Sequence, residues 1–165
     1  LQKIMRKEDL EKLPADVKKE FMKYAIKLAE KKKQSAAHDD FLTFTKHVWP
    51  EFIEGDHHKK IAEKFNRLAT GECKRIIINM PPRHTKSEFA SNLLPAWMVG
   101  RKPDLKIIQT THTTELAIRF GRKAKNLIDS PEYQEIFVLS PLLLTKVSQT
   151  LLMHNQHLFC LSIQH

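Results

Sequence analysis

Acidic side chains are missing from the end of this chain. Between Val138 and His165 there is no aspartate or glutamate, and Lys146 is the single lysine. The leucine runs there, Leu142-Leu143-Leu144 and Leu151-Leu152, keep no clear period. Two readings stand: an ordinary apolar C-terminal segment, or an abnormal end to the reading frame whose residues were never selected as part of this fold. The abrupt change of composition favours the second. Cysteine is scarce too. Cys73 and Cys160 are the two cysteines and show neither C-x-x-C nor metal-ligand spacing, so free thiols in a reducing compartment are expected. No stretch reaches the ~20 apolar residues that span a bilayer, so no membrane partner is expected. No signal peptide is visible, because charges fall at the very start. The chain begins with Leu rather than Met and is expected to be a fragment already.

What is present is positive charge. Lys and Arg number 28 against 19 Asp and Glu, giving a net charge of +9 and a pI of about 9.6. This balance suits a polyanion such as double-stranded DNA, and equally a solvated basic surface. A length of 165 residues is enough for one domain with a real core.

The informative stretch is Ile76-Ile77-Ile78-Asn79-Met80-Pro81-Pro82-Arg83-His84-Thr85-Lys86-Ser87-Glu88. Three β-branched residues predict a short buried strand. Two prolines stop it. A helical pattern through Phe89, Leu93, Leu94 and Trp97 follows Lys86-Ser87. Strand, tight loop, Lys-Ser and helix is the layout of a phosphate-binding loop. Backbone N–H groups at a helix start make an anion cradle, a Lys reaches the β- and γ-phosphates, and a Ser hydroxyl ligates Mg²⁺. Met80 and Thr85 stand where the G-x-x-x-x-G-K-[ST] pattern has glycines. By that pattern alone, a Pro-Pro turn followed by an amphipathic helix with an exposed Lys is the competing reading.

The run Ile78 to Glu88 resembles the deviant Walker A loop of tailed-bacteriophage terminase large subunits, the ATPase motors that package viral DNA. The resemblance extends from about Phe41 to Phe137. It includes His57-His58, Ile61-Ala62, Gly71-Glu72, Lys74-Arg75, Pro95-Ala96-Trp97 and Phe120-Gly121-Arg122-Lys123. Members often keep a glycine before the Lys, where this chain has Thr85, and a side chain there narrows the available backbone conformations. The resemblance implies an α/β fold: a P-loop NTPase-like parallel sheet flanked by helices, here incomplete, with an N-terminal helical segment. It implies ATP and Mg²⁺ as cofactors. The backbone from Pro82 to Thr85 (with Arg83 and His84 between them) would supply amides. Lys86 would contact the β- and γ-phosphates, Ser87 would ligate Mg²⁺, and Arg83 would act in cis on the γ-phosphate. It also implies DNA, a portal and a small terminase subunit as partners, and the host-cell cytoplasm as location. His57 and His58 lie near the adenine by resemblance, or simply form a polar helix start.

Around the loop the expected organisation has three parts. Residues 1–54 form a helical segment, 55–137 a partial ATPase core, and 138–165 a tail outside the resemblance. Leu1 to Glu11 is expected to fray. A helix opens at Pro14-Ala15-Asp16 with Val17, Phe21, Tyr24, Ala25 and Leu28 on one face, and Lys31-Lys32-Lys33 near its C-terminal pole. Gln34 to His38 reads as a linker, and Asp39 or Asp40 as the cap of a helix carrying Phe41, Phe44 and Val48. Asp56 is expected to cap a helix with Ile61, Phe65, Leu68 and Ala69 inward. Pro95 predicts a kink or an early end at Leu94. Leu105 to Thr110 reads as a second strand, parallel to the first. A further helix buries Leu116, Ala117, Phe120, Ala124, Leu127 and Ile128. It turns Arg119, Arg122, Lys123 and Lys125 outward, a face that either contacts DNA or is merely solvated. Ser130-Pro131 opens a short last helix.

Hydrolysis needs an Asp that holds Mg²⁺ at the end of an apolar strand, and a Glu that orients water. After the loop the acids are Glu88, Asp104, Glu115, Asp129, Glu132 and Glu135, and none follows such a strand. The acidic cluster of a two-metal nuclease is missing as well. The expectation is therefore a fragment of a packaging motor that binds nucleotide and hydrolyses little or none. A helicase-like P-loop ATPase and a non-catalytic basic module acting through Arg119 to Lys125 are the rivals.

Overall fold

Strong helix formers fill the stretch after Pro14, and there the chain forms α1, Ala15–Asp39. This structure is a computed structural model and describes residues 14–137. The expectations for Leu1 to Glu11 and for Val138 to His165 therefore lie outside the described residues. After α1 come α2 (Phe41–Val48), α3 (Asp56–Thr70), α4 (Lys86–Glu88), a π-helical turn (Phe89–Leu93), α5 (Leu94–Arg101), α6 (Thr114–Ile128) and α7 (Pro131–Ile136). The chain divides into two compact units, Leu1–Ser35 and Ala36–His165. No described helix is long and apolar enough to cross a membrane.

In the first unit the apolar face of α1 is not buried. Val17, Phe21, Tyr24 and Leu28 are all exposed. The expected linker Gln34 to His38 is not a break, because helix runs through it to Asp39.

The second unit is built on aromatic packing. Phe41 meets Phe65, Phe89 and Trp97 edge to face, with ring centroids 5.0, 5.4 and 5.5 Å apart. Trp97 donates its indole N–H to the Ala37 carbonyl at 3.2 Å. Tyr133 donates its hydroxyl to the Ala96 carbonyl at 2.8 Å, and burial pushes its pKa up. Asp40 is the cap of α2. Its carboxylate accepts the Thr43 N–H at 2.8 Å, the Thr43 hydroxyl at 2.7 Å and the Asn66 amide at 2.7 Å. Asn66 in turn accepts the Phe41 N–H at 2.9 Å, which ties α2 to α3. Burial works to raise the Asp40 pKa. The hydrogen bonds from Thr43 and Asn66, with the charge of Lys46, outweigh it and hold the group below its ordinary 3.8.

The expected parallel sheet is not there. Among the described residues no strand forms, and only an isolated bridge position falls at Ile107. Residues 75–80 and 105–110 do alternate in burial as strands would. Ile76 and Ile78 pack against the core, as do Leu105 and Ile107. Ile77 is 96% exposed, so the first run is not the buried strand its three isoleucines predict. No backbone hydrogen bond joins the two runs. Strands must lie about 4.8 Å apart to pair; these runs instead both line a cavity of about 410 Å³, with Ile76 and Ile78 from one and Gln109 and Thr110 from the other. Packing on the helices satisfies their apolar period without a ladder, so the α/β, P-loop NTPase-like sheet is withdrawn.

Pro95 does not end its helix. Helical backbone runs from Lys86 to Arg101, and the π turn sits immediately before the proline. Leu94 N–H bonds to the Phe89 carbonyl, five residues back. The wider turn accommodates the region where a proline removes a backbone donor.

Candidate functional site: the loop before Lys86

The loop is shaped by residues that depart from ordinary backbone. Pro81 and Pro82 carry no N–H. Arg83 and Thr85 then adopt positive φ, 66° and 56°. They are the non-glycine residues with positive φ among those described. Lys86 follows at once and starts the helical run. Left-handed residues thus stand on both sides of His84, and left-handed residues are an ingredient of the backbone nests that bind anions. Each such non-glycine residue costs roughly 1–2 kcal/mol. Thr85 thus takes, with a side chain, the kind of conformation that a glycine in the usual pattern takes freely.

Thr85 sits in a hydrogen-bond relay. The Thr85 hydroxyl donates to the His84 carbonyl at 2.7 Å. It lies 2.6 Å from His58 Nε2. The Nδ1 atom of His58 accepts the Gly55 N–H at 3.0 Å. Gly55 is the N-cap of α3, so His58 fills at its third position the reciprocal role that Glu plays in a capping box. Asp56, expected as the cap, is instead the first residue of that helix. His58 is buried, 5% exposed, and packs on the rings of Phe52 at 4.8 Å and Phe89 at 5.0 Å, which also touch each other at 5.4 Å. Burial first, then the neighbouring His57, lowers its pKa below 6.5; Glu54 pulls the other way, and His84 adds to the lowering.

The predicted ligands fall into distinct surroundings. Arg83 and Ser87 are exposed, and Lys86 is half-buried. Lys86 Nζ donates to the Met80 carbonyl at 3.3 Å. That is a single contact to a neutral acceptor, so the ammonium can turn to a phosphate at little cost. His84 is exposed, with Nδ1 3.0 Å from the Pro82 carbonyl. Having no N–H, Pro82 contributes shape and a carbonyl rather than an amide. His57 stacks on His58 with centroids 3.8 Å apart and stands 5.7 Å from the His84 ring. Its Nε2 is buried with no hydrogen-bond partner. The structure therefore gathers His57, His58, His84, Thr85 and Lys86 at one place, although His58 faces the protein interior rather than a ligand.

One pair escaped the sequence reading. Lys123, expected on the outer face of α6, is ion-paired with Glu88 just beyond Ser87, and Asn92 also donates to Glu88, at 3.2 Å. Thirty-five residues separate the pair, and nothing in local periodicity links them. Arg119 and Arg122 do face outward, exposed. Among the described residues no group of three or more His, Cys, Asp or Glu could hold a metal ion. Comparison with known protein families, curated proteins and solved structures gave no match.

Proposed function

We propose that this chain carries the nucleotide-phosphate loop of a terminase-like DNA-packaging ATPase. The observation that carries this reading is the alternation of left-handed Arg83 and Thr85 directly ahead of Lys86-Ser87. Left-handed residues are an ingredient of anion-binding nests, and here they fall on the residues whose sequence resembles the Walker A loop, which supports the reading. The reading rests on the loop and its helix, and needs no sheet among the described residues.

In this proposal the amides from Arg83 to Lys86 hold the β- and γ-phosphates of ATP. Lys86 leaves the Met80 carbonyl to contact them, Ser87 takes Mg²⁺, and Arg83 reaches the γ-phosphate. DNA, a portal and a small terminase subunit are the partners of the motor that this proposal describes. Glu88 is engaged by Lys123, and no other acid in the loop stands ready to orient water, so hydrolysis is slow or nil in this chain. A basic nucleic-acid module is the second reading. It is favoured by exposed Arg119 and Arg122, which make no ion pair among the described residues.

A titration with Mg-ATP by calorimetry tests the first reading. The expected result is saturable binding that Lys86→Ala weakens by roughly tenfold or more, the loss of a charge-assisted contact. Binding unchanged in Lys86→Ala, or none to folded wild type, overturns it. Duplex DNA binding that ignores Lys86→Ala but collapses in an Arg119→Ala, Arg122→Ala double variant supports the second.

A further inference from the structure

We propose that His58 is the positioning residue of the loop: its neutral imidazole holds Thr85 in the left-handed conformation that the nest requires. The functional consequence rests on the nucleotide-loop reading, while the positioning itself does not. The direction of every proton in the relay is fixed by the geometry. Gly55 N–H can only donate, so Nδ1 of His58 carries a lone pair. The Thr85 hydroxyl has one proton, which goes to the His84 carbonyl. The hydroxyl must therefore accept from His58, and Nε2 bears the hydrogen.

The imidazole cannot easily turn away. Phe52 and Phe89 pack together against it, and the His57 ring lies tilted against it with centroids 3.8 Å apart. Gly55 is closed in as well, since a Cβ there would come within 2.9 Å of the His57 ring. The titratable groups around His58 are Glu54 before α3, His57 on α3 and His84 in the loop. A proton added at Nδ1 would face the Gly55 N–H, donor against donor, and break the first link. The relay thus lets a threonine stand where the nucleotide loop ordinarily has a glycine. It also assigns His58 to loop support rather than to the adenine.

The test needs a readout independent of nucleotide. In labelled protein at neutral pH, ¹⁵N shifts of His58 should show bare Nδ1 and protonated Nε2. Scalar couplings and ¹³C shifts should place Thr85 at positive φ. His58→Ala should abolish that Thr85 signature and weaken Mg-ATP binding roughly tenfold, as expected when a non-glycine residue loses what holds it left-handed. Thr85→Gly should make His58 dispensable, so the double variant binds like Thr85→Gly alone. If His58→Ala does not fold, the tautomer and the Thr85 signature in wild type decide. Protonated Nδ1, or negative φ at Thr85, overturns the proposal. So does a folded His58→Ala variant that keeps the signature. If wild type binds no Mg-ATP while Thr85 still depends on His58, the nucleotide reading fails and the positioning role stands.

Discussion

At the scale of single residues, the loop turns on how a histidine and a threonine replace a glycine. Thr85 could be placed by pattern, and its conflict with the glycine position was legible. Its partner was not, because His58 lies 27 positions earlier in the chain and meets Thr85 only through folding. The same burial gives a pH dependence. Burial first, and then His57, lowers the pKa of His58 below 6.5. The unfolded chain therefore binds the proton more readily than the folded one below that value. The contribution to stability is present above about pH 6.5 and is lost as pH falls beneath it. Denaturant unfolding from pH 7.5 down to pH 5 should show a declining midpoint in wild type. His58→Gln should flatten part of that decline; an unchanged slope would show that other groups carry it.

At the scale of elements, the caps and helix faces follow local rules. Asp40 was one of two candidate caps, and it is the one used, with Thr43 and Asn66 as its donors. Removing such a cap costs typically about 1 kcal/mol, and here the part-buried Asn66 amide would also lose its acceptor. Asp40→Ala should therefore lower stability by roughly 1–2 kcal/mol, with Asp40→Ser losing less, read from urea midpoints. Equal midpoints in all three proteins would refute the capping role. Sequence rules also overreached here. Small and polar residues from Gln34 to His38 suggested a linker, yet Ser and Ala are tolerated in a helix and no proline or glycine interrupts them. Pro95 suggested a kink or an early end; the helix does not end, and a π turn lies just ahead of the proline.

At the scale of the whole molecule, long-range packing decides what an apolar run becomes. Gly100 shows how tight that packing is. A Cβ there would lie 2.6 Å from the Phe137 ring and 2.6 Å from the Tyr133 hydroxyl. Alanine favours a helix over glycine by roughly 1 kcal/mol, whereas overpacking a core costs about 1–3 kcal/mol. Gly100→Ala should therefore be destabilised by up to about 2 kcal/mol, the opposite of the helix-propensity expectation. A thermal midpoint at or above wild type would show that the two rings yield. The net charge of +9 belongs to this scale as well. It describes the chain as a whole and does not select between a DNA partner and a solvated surface.

Most helices, the placing of Phe41, Phe65 and Trp97 on apolar helix faces, and the position of the Lys86 loop are legible in the sequence. Those features depend on neighbours within a few residues, through helical period, capping and the missing N–H of proline. That Ile76 to Ile78 and Leu105 to Ile107 pack on the core without pairing with each other is set by the tertiary structure. It alone brought Lys123 to Glu88 and His58 to Thr85. Strand pairing and ion pairing between distant positions depend on which surfaces meet in space, and a two-residue period records which side of a segment is apolar, never what lies beside it.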